Sequence, residues 1–219
     1  MTVVAVRHNL PQALLGAFFG VSQPTVSRLL QRLQAVVGTA AATGMPRLAE
    51  TQPGERLLVD ATLLPTGNRP GEGSAGEHLD RGKRHRAGRN TLVVAAPWGR
   101  LVDASQPTPA PGAMHDARSW TQTGMDRALV GREVVGDLGF AGLGITTPMR
   151  KPPGGALWAF EQANNRATNQ ARAPVERTIA LLKQWRVLSS GYRGPLNRFP
   201  ATLRTVVALE KFRIYETPL

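Results

Sequence analysis

Three carboxylates in this chain stand where a side chain can be exposed and still held in place. The apolar run Arg56-Leu-Leu-Val-Asp60 stops at an aspartate, and Glu133-Val-Val-Gly-Asp137 repeats the pattern. A strand that ends in a cleft fixes its last carboxylate to a fraction of an ångström. The chain has six aspartates, so two in this setting are a large share. Either one alone reads equally well as a turn-capping Asp. The third carboxylate lies in Ala171–Arg186. On a helix, Val175, Ile179 and Leu182 make a buried stripe there, and Glu176 and Lys183, seven apart, fall within about 20° of each other at its edge. If the helix runs back through Pro174, Arg172 joins them one turn earlier. A solvated Glu–Lys pair is the plain alternative. Carboxylates are hard oxygen donors that suit Mg²⁺, an ion that keeps waters and substrate phosphates in its shell. Such a trio could therefore serve phosphodiester chemistry.

A second set of residues points to nucleic acid. Leu10, Leu14, Leu15, Phe18 and Phe19 have helical spacing, and Gly20 can take the positive φ of a sharp turn. Ser22 can cap a following helix that tolerates Pro24 in its first turn and buries Val26, Leu29, Leu30 and Leu33. Gly16, Gly20, Val21, Val26 and Leu29 sit where a helix-turn-helix wants a small residue, a turn glycine and buried apolar groups. Gln23, Thr25, Ser27, Arg28 and Arg32 would then face the major groove or its phosphates. The alternative is an ordinary helical hairpin packed on the next domain. Only Met1–His8 precede it, where a helix-turn-helix normally wants another helix, so a shortened N-terminus is expected.

These residues need a scaffold. The pattern predicts a linker over Thr39–Pro53, strands over Arg56–Leu64, Thr91–Ala96 and Arg100–Ser105, and a turn at Trp98-Gly99. It predicts loops over Pro65–Asn90 and Pro107–Gly112, a helix over His115–Leu129, and strands at Glu133–Gly136 and Ile145–Met149. Trp158–Leu188 reads as helix interrupted at Pro174, and Phe199–Ile214 as a last amphipathic helix. Strands joined by short turns come first and helices interleave later, so the class is α/β.

With 42% hydrophobic and 19% charged residues the chain is not disordered overall, and without cysteine it has no disulfide or thiolate site. Its apolar runs are too short to span a bilayer and it lacks the pattern of a secretory leader, so a cytoplasmic, nucleoid-associated protein is expected. Net charge is +12, and the excess is clustered. Arg81, Lys83, Arg84, Arg86, Arg89 and Arg100 occur in 20 residues without one acid. Such a loop is expected to track phosphate. His78, His85 and His115 have no ligand spacing and read as structural or phosphate-facing.

Taken together, the motifs resemble the DDE-superfamily transposases of bacterial insertion sequences. Asp60 opens Leu57-Leu-Val-Asp-Ala-Thr, and Gly136-Asp137-Leu-Gly-Phe-Ala-Gly-Leu-Gly is similar to the block around the second Asp. Arg172, Glu176 and Lys183 match the family's Arg, three residues, Glu, six residues, Lys signature. Met114-His-Asp-Ala117 and Gly82-Lys-Arg-His85 also resemble family blocks. Leu138, Phe140 and Asn169 depart from it, standing where Lys, Tyr and Tyr are usual. The resemblance covers roughly residues 10–212. It implies a ribonuclease H-like mixed sheet flanked by helices, preceded by a small helix-turn-helix segment, with residues 1–45 binding DNA and 46–219 cutting it. It also implies two Mg²⁺ or Mn²⁺ ions, with Asp60 bridging, Asp137 on one ion and Glu176 on the other, and Arg172 and Lys183 holding substrate phosphate. The partners implied are double-stranded DNA, both terminal repeats and target, and a homodimer or larger assembly on that DNA. Three rivals remain: a helix-turn-helix regulator, a catalytically impaired remnant, and a standalone nuclease.

Overall fold

The computed structural model describes residues 1–52, 54–67, 88–108 and 116–216. Lys83, Arg84 and Arg86, with Arg81, His78, His85, His115 and the rest of residues 68–87 and 109–115, lie outside the described residues. β1 (Arg56–Pro65), β2 (Gly88–Ala95), β3 (Leu101–Ala104) and β4 (Glu133–Val135) form one sheet in the order β3-β2-β1-β4. β1, β2 and β3 are antiparallel neighbours, and β4 runs parallel to β1 with Leu58 opposite Val135. This is the mixed sheet expected of a ribonuclease H-like fold.

Side chains alternate across a strand, and the two cores follow that alternation. Leu57, Val59, Leu92, Val94, Val102 and Val134 turn to one face, where they meet Trp120, Met125, Leu129 and Phe140. Leu58, Leu64, Val93, Ala95, Leu101 and Val135 turn to the other, under Val175, Leu182, Leu188, Phe199, Leu203 and Val206. The first face is covered by α4 (Asp116–Gln122) and α5 (Met125–Ala128), the second by α6 (Ala159–Lys183) and α7 (Phe199–Glu216). Both faces buried explains why these strands are apolar almost without a break.

Several elements differ from the sequence expectation. Pro174 does not interrupt α6, which is continuous through it. The proline packs beneath the β2–β3 turn, where Gly99 (φ 87°) leaves room for it, and Thr178 Oγ1 donates toward both Pro174 O (3.0 Å) and Gly99 O (2.9 Å). The missing helical hydrogen bond is thus accompanied by contacts that pin α6 across the sheet. Ile145–Met149 is not a strand; Thr146 alone bridges to Val135.

At the N-terminus, Met1–His8 is itself structured. Thr2–His8 is a helix, α1, and Asn9 closes it in the left-handed conformation (φ 53°). The Asn9 side chain donates to Ser190 Oγ (2.9 Å) and Gly191 O (2.8 Å), and the Arg7 guanidinium lies 5.1 Å from the Trp185 ring centre. α2 (Gln12–Phe19) and α3 (Gln23–Ala42) follow, joined through Gly20 (φ 64°). Gly16 faces the Val21 carbonyl so closely that a side chain would collide with it, which accounts for the small residue there. α3 is 20 residues long and consumes the start of the expected linker. It lies along α7, with Gln34 Nε2 donating to Thr202 Oγ1 (2.8 Å), Thr205 Oγ1 donating to Gln34 O (3.3 Å) and Gly38 against Thr205. Its expected buried stripe is only partly buried: Val26 is enclosed, but Leu33 is exposed, as are Leu14, Phe18 and Phe19 of α2. No helix among the described residues is long and apolar enough to cross a membrane.

Candidate active site

Strand parity and register bring the first two acids together. Asp60 shares its face of β1 with Leu58 and Leu64, so it points at α6 rather than α4. Leu58 pairs with Val135 on the parallel neighbour β4. Two residues beyond Leu58 lies Asp60, and two residues beyond Val135, just past the end of β4, lies Asp137, near enough for its charge to act on Asp60. α6 crosses above, and Val175 and Leu182 seat it in the core beneath it. That leaves Arg172 and Glu176, one turn apart, at the edge next to Asp60.

The electrostatics reflect this placement. Burial pushes the Asp60 carboxyl above its ordinary value; the Arg172 guanidinium and the Ala61 N–H pull it back, and the charges of Asp137 and Glu176 push it up again. Arg172 Nη2 lies 3.7 Å from Asp60 Oδ1, and their side chains are 10% and 20% exposed. The Ala61 N–H donates to the same Oδ1 at 2.9 Å. Asp137 is half-buried, and its Oδ1 accepts from the Gly139 N–H at 2.8 Å, so the turn-capping reading of this residue also holds. Glu176 is exposed and Lys183 is half-buried at the C-terminal end of α6. Arg172 is buried against Asp60 rather than presented on the surface. Among the described residues no three Asp, Glu or His side chains gather closely enough to hold one metal ion. The donor chemistry nevertheless suits a divalent cation: all three are hard oxygen donors, and the carboxyl of Asp60 is pushed up by burial and by the charges of Asp137 and Glu176.

The other predicted residues sit elsewhere. Gln23, Thr25, Ser27, Arg28 and Arg32 lie on the first half of α3, with Gln23, Arg28 and Arg32 exposed. Arg28 Nη2 donates to Thr25 Oγ1 (3.2 Å), Gln31 Nε2 donates to Ser27 Oγ (3.2 Å), and Gln23 Nε2 donates to Gln12 Oε1 (2.7 Å) on α2. Sequence reasoning expected Arg89 to meet phosphate but placed it in the basic loop; β2 begins at Gly88 and Arg89 is its second residue. The signal was available: Arg89, Thr91, Val93 and Ala95 alternate in step with β1.

Residues 59–211 match the family described as DDE superfamily endonuclease. The protein described as a transposase for insertion sequence element IS112 of Streptomyces albus G is 30% identical over 189 residues, covering 83% of this chain. This chain spans about two thirds (66%) of that relative's length. The crystal structure of the Mos1 mariner paired end complex with Mn is 12% identical, covering 93% of this chain and 72% of that one, at a TM-score of 0.25. That last likeness is too loose to carry an argument. The family match takes in Asp60, Asp137, Arg172, Glu176 and Lys183 alike, and on it the chain belongs to the DDE superfamily of endonucleases.

Proposed function

We propose that this protein is a DNA transposase: it cleaves the ends of its own element and joins the freed 3′ strand to target DNA. The observation that carries the reading is that Asp60 on the strand β1, Asp137 just beyond the neighbouring strand β4, and Glu176 on α6 lie close enough for the charges of the last two to act on Asp60. Bound there, two Mg²⁺ or Mn²⁺ ions would supply charge neutralisation at the scissile phosphate and activation of the attacking oxygen. Asp60, central to the three, is assigned as the shared ligand, with Asp137 and Glu176 completing one ion each.

The chain's own part is positioning. β1 holds Asp60 on the buried sheet, and the turn after β4 holds Asp137 through the Gly139 N–H, so both are positioned in advance of reaction. Arg172 orients Asp60, and Lys183, farther along α6, is assigned to a substrate phosphate. Residues 1–45 are assigned to recognition, with Gln23, Thr25, Ser27, Arg28 and Arg32 of α3 facing the terminal repeat. Residues 46–219 are assigned to cutting, with Lys83, Arg84 and Arg86 holding DNA backbone, and two or more copies are assigned to each pair of ends. The IS112 relative, described as a transposase, supports the reading.

The test is strand cleavage by purified protein on duplex from the flanks of its own coding sequence, in Mg²⁺ or Mn²⁺. Asp60→Asn, Asp137→Asn and Glu176→Gln should each abolish cleavage and leave binding intact. Specific binding with no cutting by the wild-type protein would favour a regulator or an impaired remnant. Cutting without regard to sequence would favour a standalone nuclease.

A further inference from the structure

We infer that Arg89 is a DNA-phosphate ligand of the cutting site, fixed by the sheet on the same face as Asp60. The inference rests on the proposed transposase reading and adds a residue to its substrate-binding surface. The ladder between β1 and β2 pairs Asp60 with Val93, Thr62 with Thr91 and Leu64 with Arg89. Asp60 and Leu64 share a face, so Arg89, opposite Leu64, lies on that face too, two rungs nearer the C-terminal end of β1. Four residues of strand span about 13 Å, and each DNA strand carries one phosphate per ~3.4 Å of helix axis. With the reach of its own side chain, Arg89 would meet a phosphate one to four nucleotides from the cut.

A second, independent observation points to an anion. Among the described residues four buried side-chain polar atoms lack a hydrogen-bond partner: Thr66 Oγ1, Arg89 Nε, Arg172 Nε and Asp126 Oδ1. Two of the four are guanidinium donors: Arg172 lies against Asp60, and Arg89 stands four residues along the sheet from it on the same face. Buried donors without acceptors are unfavourable in a folded chain, and a guanidinium that leaves a donor open is suited to an oxyanion as its acceptor. The mount is also rigid. A side chain at Gly88 would run into Leu63 and the Leu64 carbonyl, so β2 is pressed against β1 just where Arg89 leaves the ladder.

The test pairs one protein change with one DNA change. Single phosphates near the cleaved bond of a duplex carrying the element end are replaced by neutral methylphosphonate, and affinity is measured in Ca²⁺. For the wild type, one substitution within four nucleotides of the cut should weaken binding about 10- to 100-fold. Arg89→Gln should show the same loss on unmodified DNA. It should be insensitive to that one methylphosphonate, remain sensitive to the others, and have a salt slope smaller by about 0.9. Unchanged affinity, or an undiminished penalty at every phosphate, would overturn the assignment. If Arg89→Gln melts early, Arg89→Lys serves instead. It keeps the charge but loses the two-pronged geometry, and it should lose part of the affinity and of the sensitivity at that same phosphate. Cutting by the wild type with an additive cycle sinks the Arg89 assignment alone. A non-additive cycle with no cutting in Mg²⁺ or Mn²⁺ sinks the transposase reading instead.

Discussion

Arg172→Met tests whether the Asp60–Arg172 pair orders the site. At 3.7 Å, an effective dielectric constant of 20 gives about 4–5 kcal/mol of attraction between the two charges. Breaking a buried pair from one side leaves the other charge uncompensated, at a typical cost of 3–5 kcal/mol. Asp60 keeps 20% of its side chain in contact with solvent, so the expected loss at pH 7 is lower, about 2–4 kcal/mol. For a chain of this size that corresponds to a fall in melting temperature of about 5–15 °C. Asp60→Asn removes a carboxylate that burial already disfavours, so it should destabilise less. In Arg172→Met/Asp60→Asn the charge of Asp60 is gone and the arginine is not missed. The double variant should therefore be more stable than the sum of the two single changes by about 2–3 kcal/mol.

Acid gives an internal check. The folded-state pKa of Asp60 lies above its unfolded value. As pH falls through that raised value, the folded protein takes up a proton ahead of the unfolded chain and gains stability relative to neutral pH. A protonated Asp60 has no need of the guanidinium, so the gap between wild type and Arg172→Met should narrow over the same window. Urea unfolding of the four proteins at neutral and acid pH measures all of this. Additivity within about 0.5 kcal/mol at pH 7 would show that the pair is incidental and that Arg172 does not order Asp60.

Three further outcomes follow from the same coordinates. Glu176→Gln, on an exposed position, should change stability by no more than about 0.5 kcal/mol while abolishing cleavage in Mg²⁺; a variant that still nicks its element's ends would remove Glu176 from the reaction. Arg28→Ala should weaken specific binding by roughly 1–3 kcal/mol, and an unaltered footprint after removal of residues 1–38 would show that α3 does not read DNA. Lys211 is buried and donates to Pro46 O and to Val102 O (2.8 Å), and burial pulls its pKa down. Lys211→Met should cost about 2–4 kcal/mol because two carbonyls lose their donor, measured by denaturant unfolding, and a loss under 0.5 kcal/mol would mean that water replaces the ammonium.

The placement of Asp60, Asp137 and Glu176 was largely legible in sequence because it depends on short-range rules. An apolar run ending in Asp, a second such run, and a stripe with a Glu at its edge each describe one element, and the sheet register does the rest. What escaped depends on contacts between elements. Pro174 reads as a break because its cost is local, while its contact with the Gly99 turn is not. The Ala, Gly and Thr residues near the end of α3 read as linker because they carry no apolar period. Their small size is what lets α3 lie against Thr205 of α7. Arg89 was misplaced for a third reason: a strand that begins with Gly-Arg-Asn looks like the end of a basic loop until its partner strand is known. Glu210 and Lys211 are adjacent charged residues of the last helix, with nothing in the sequence to mark them as buried. Yet Glu210 is 1% exposed and accepts from Trp185 Nε1 and Arg213.

The seating of α3 on α7 has a geometric consequence for evolution of the element. Gln34 and Gly38 clamp the helix to α7, and Arg28 stands six residues, about 9 Å of helix axis, beyond the first clamp. On the proposed reading, recognition and cutting belong to one solid part, so α3 acts as a ruler whose graduations are single residues. Inserting or deleting one residue between Arg28 and Gln34 would shift the reading face by ~1.5 Å and turn it by about 100°. Point substitutions can retune which bases are read, but a change in length there would aim the blade at the wrong phosphate. The spacing between terminal repeat and cleavage point is therefore expected to drift far more slowly among related elements than the repeat sequence itself.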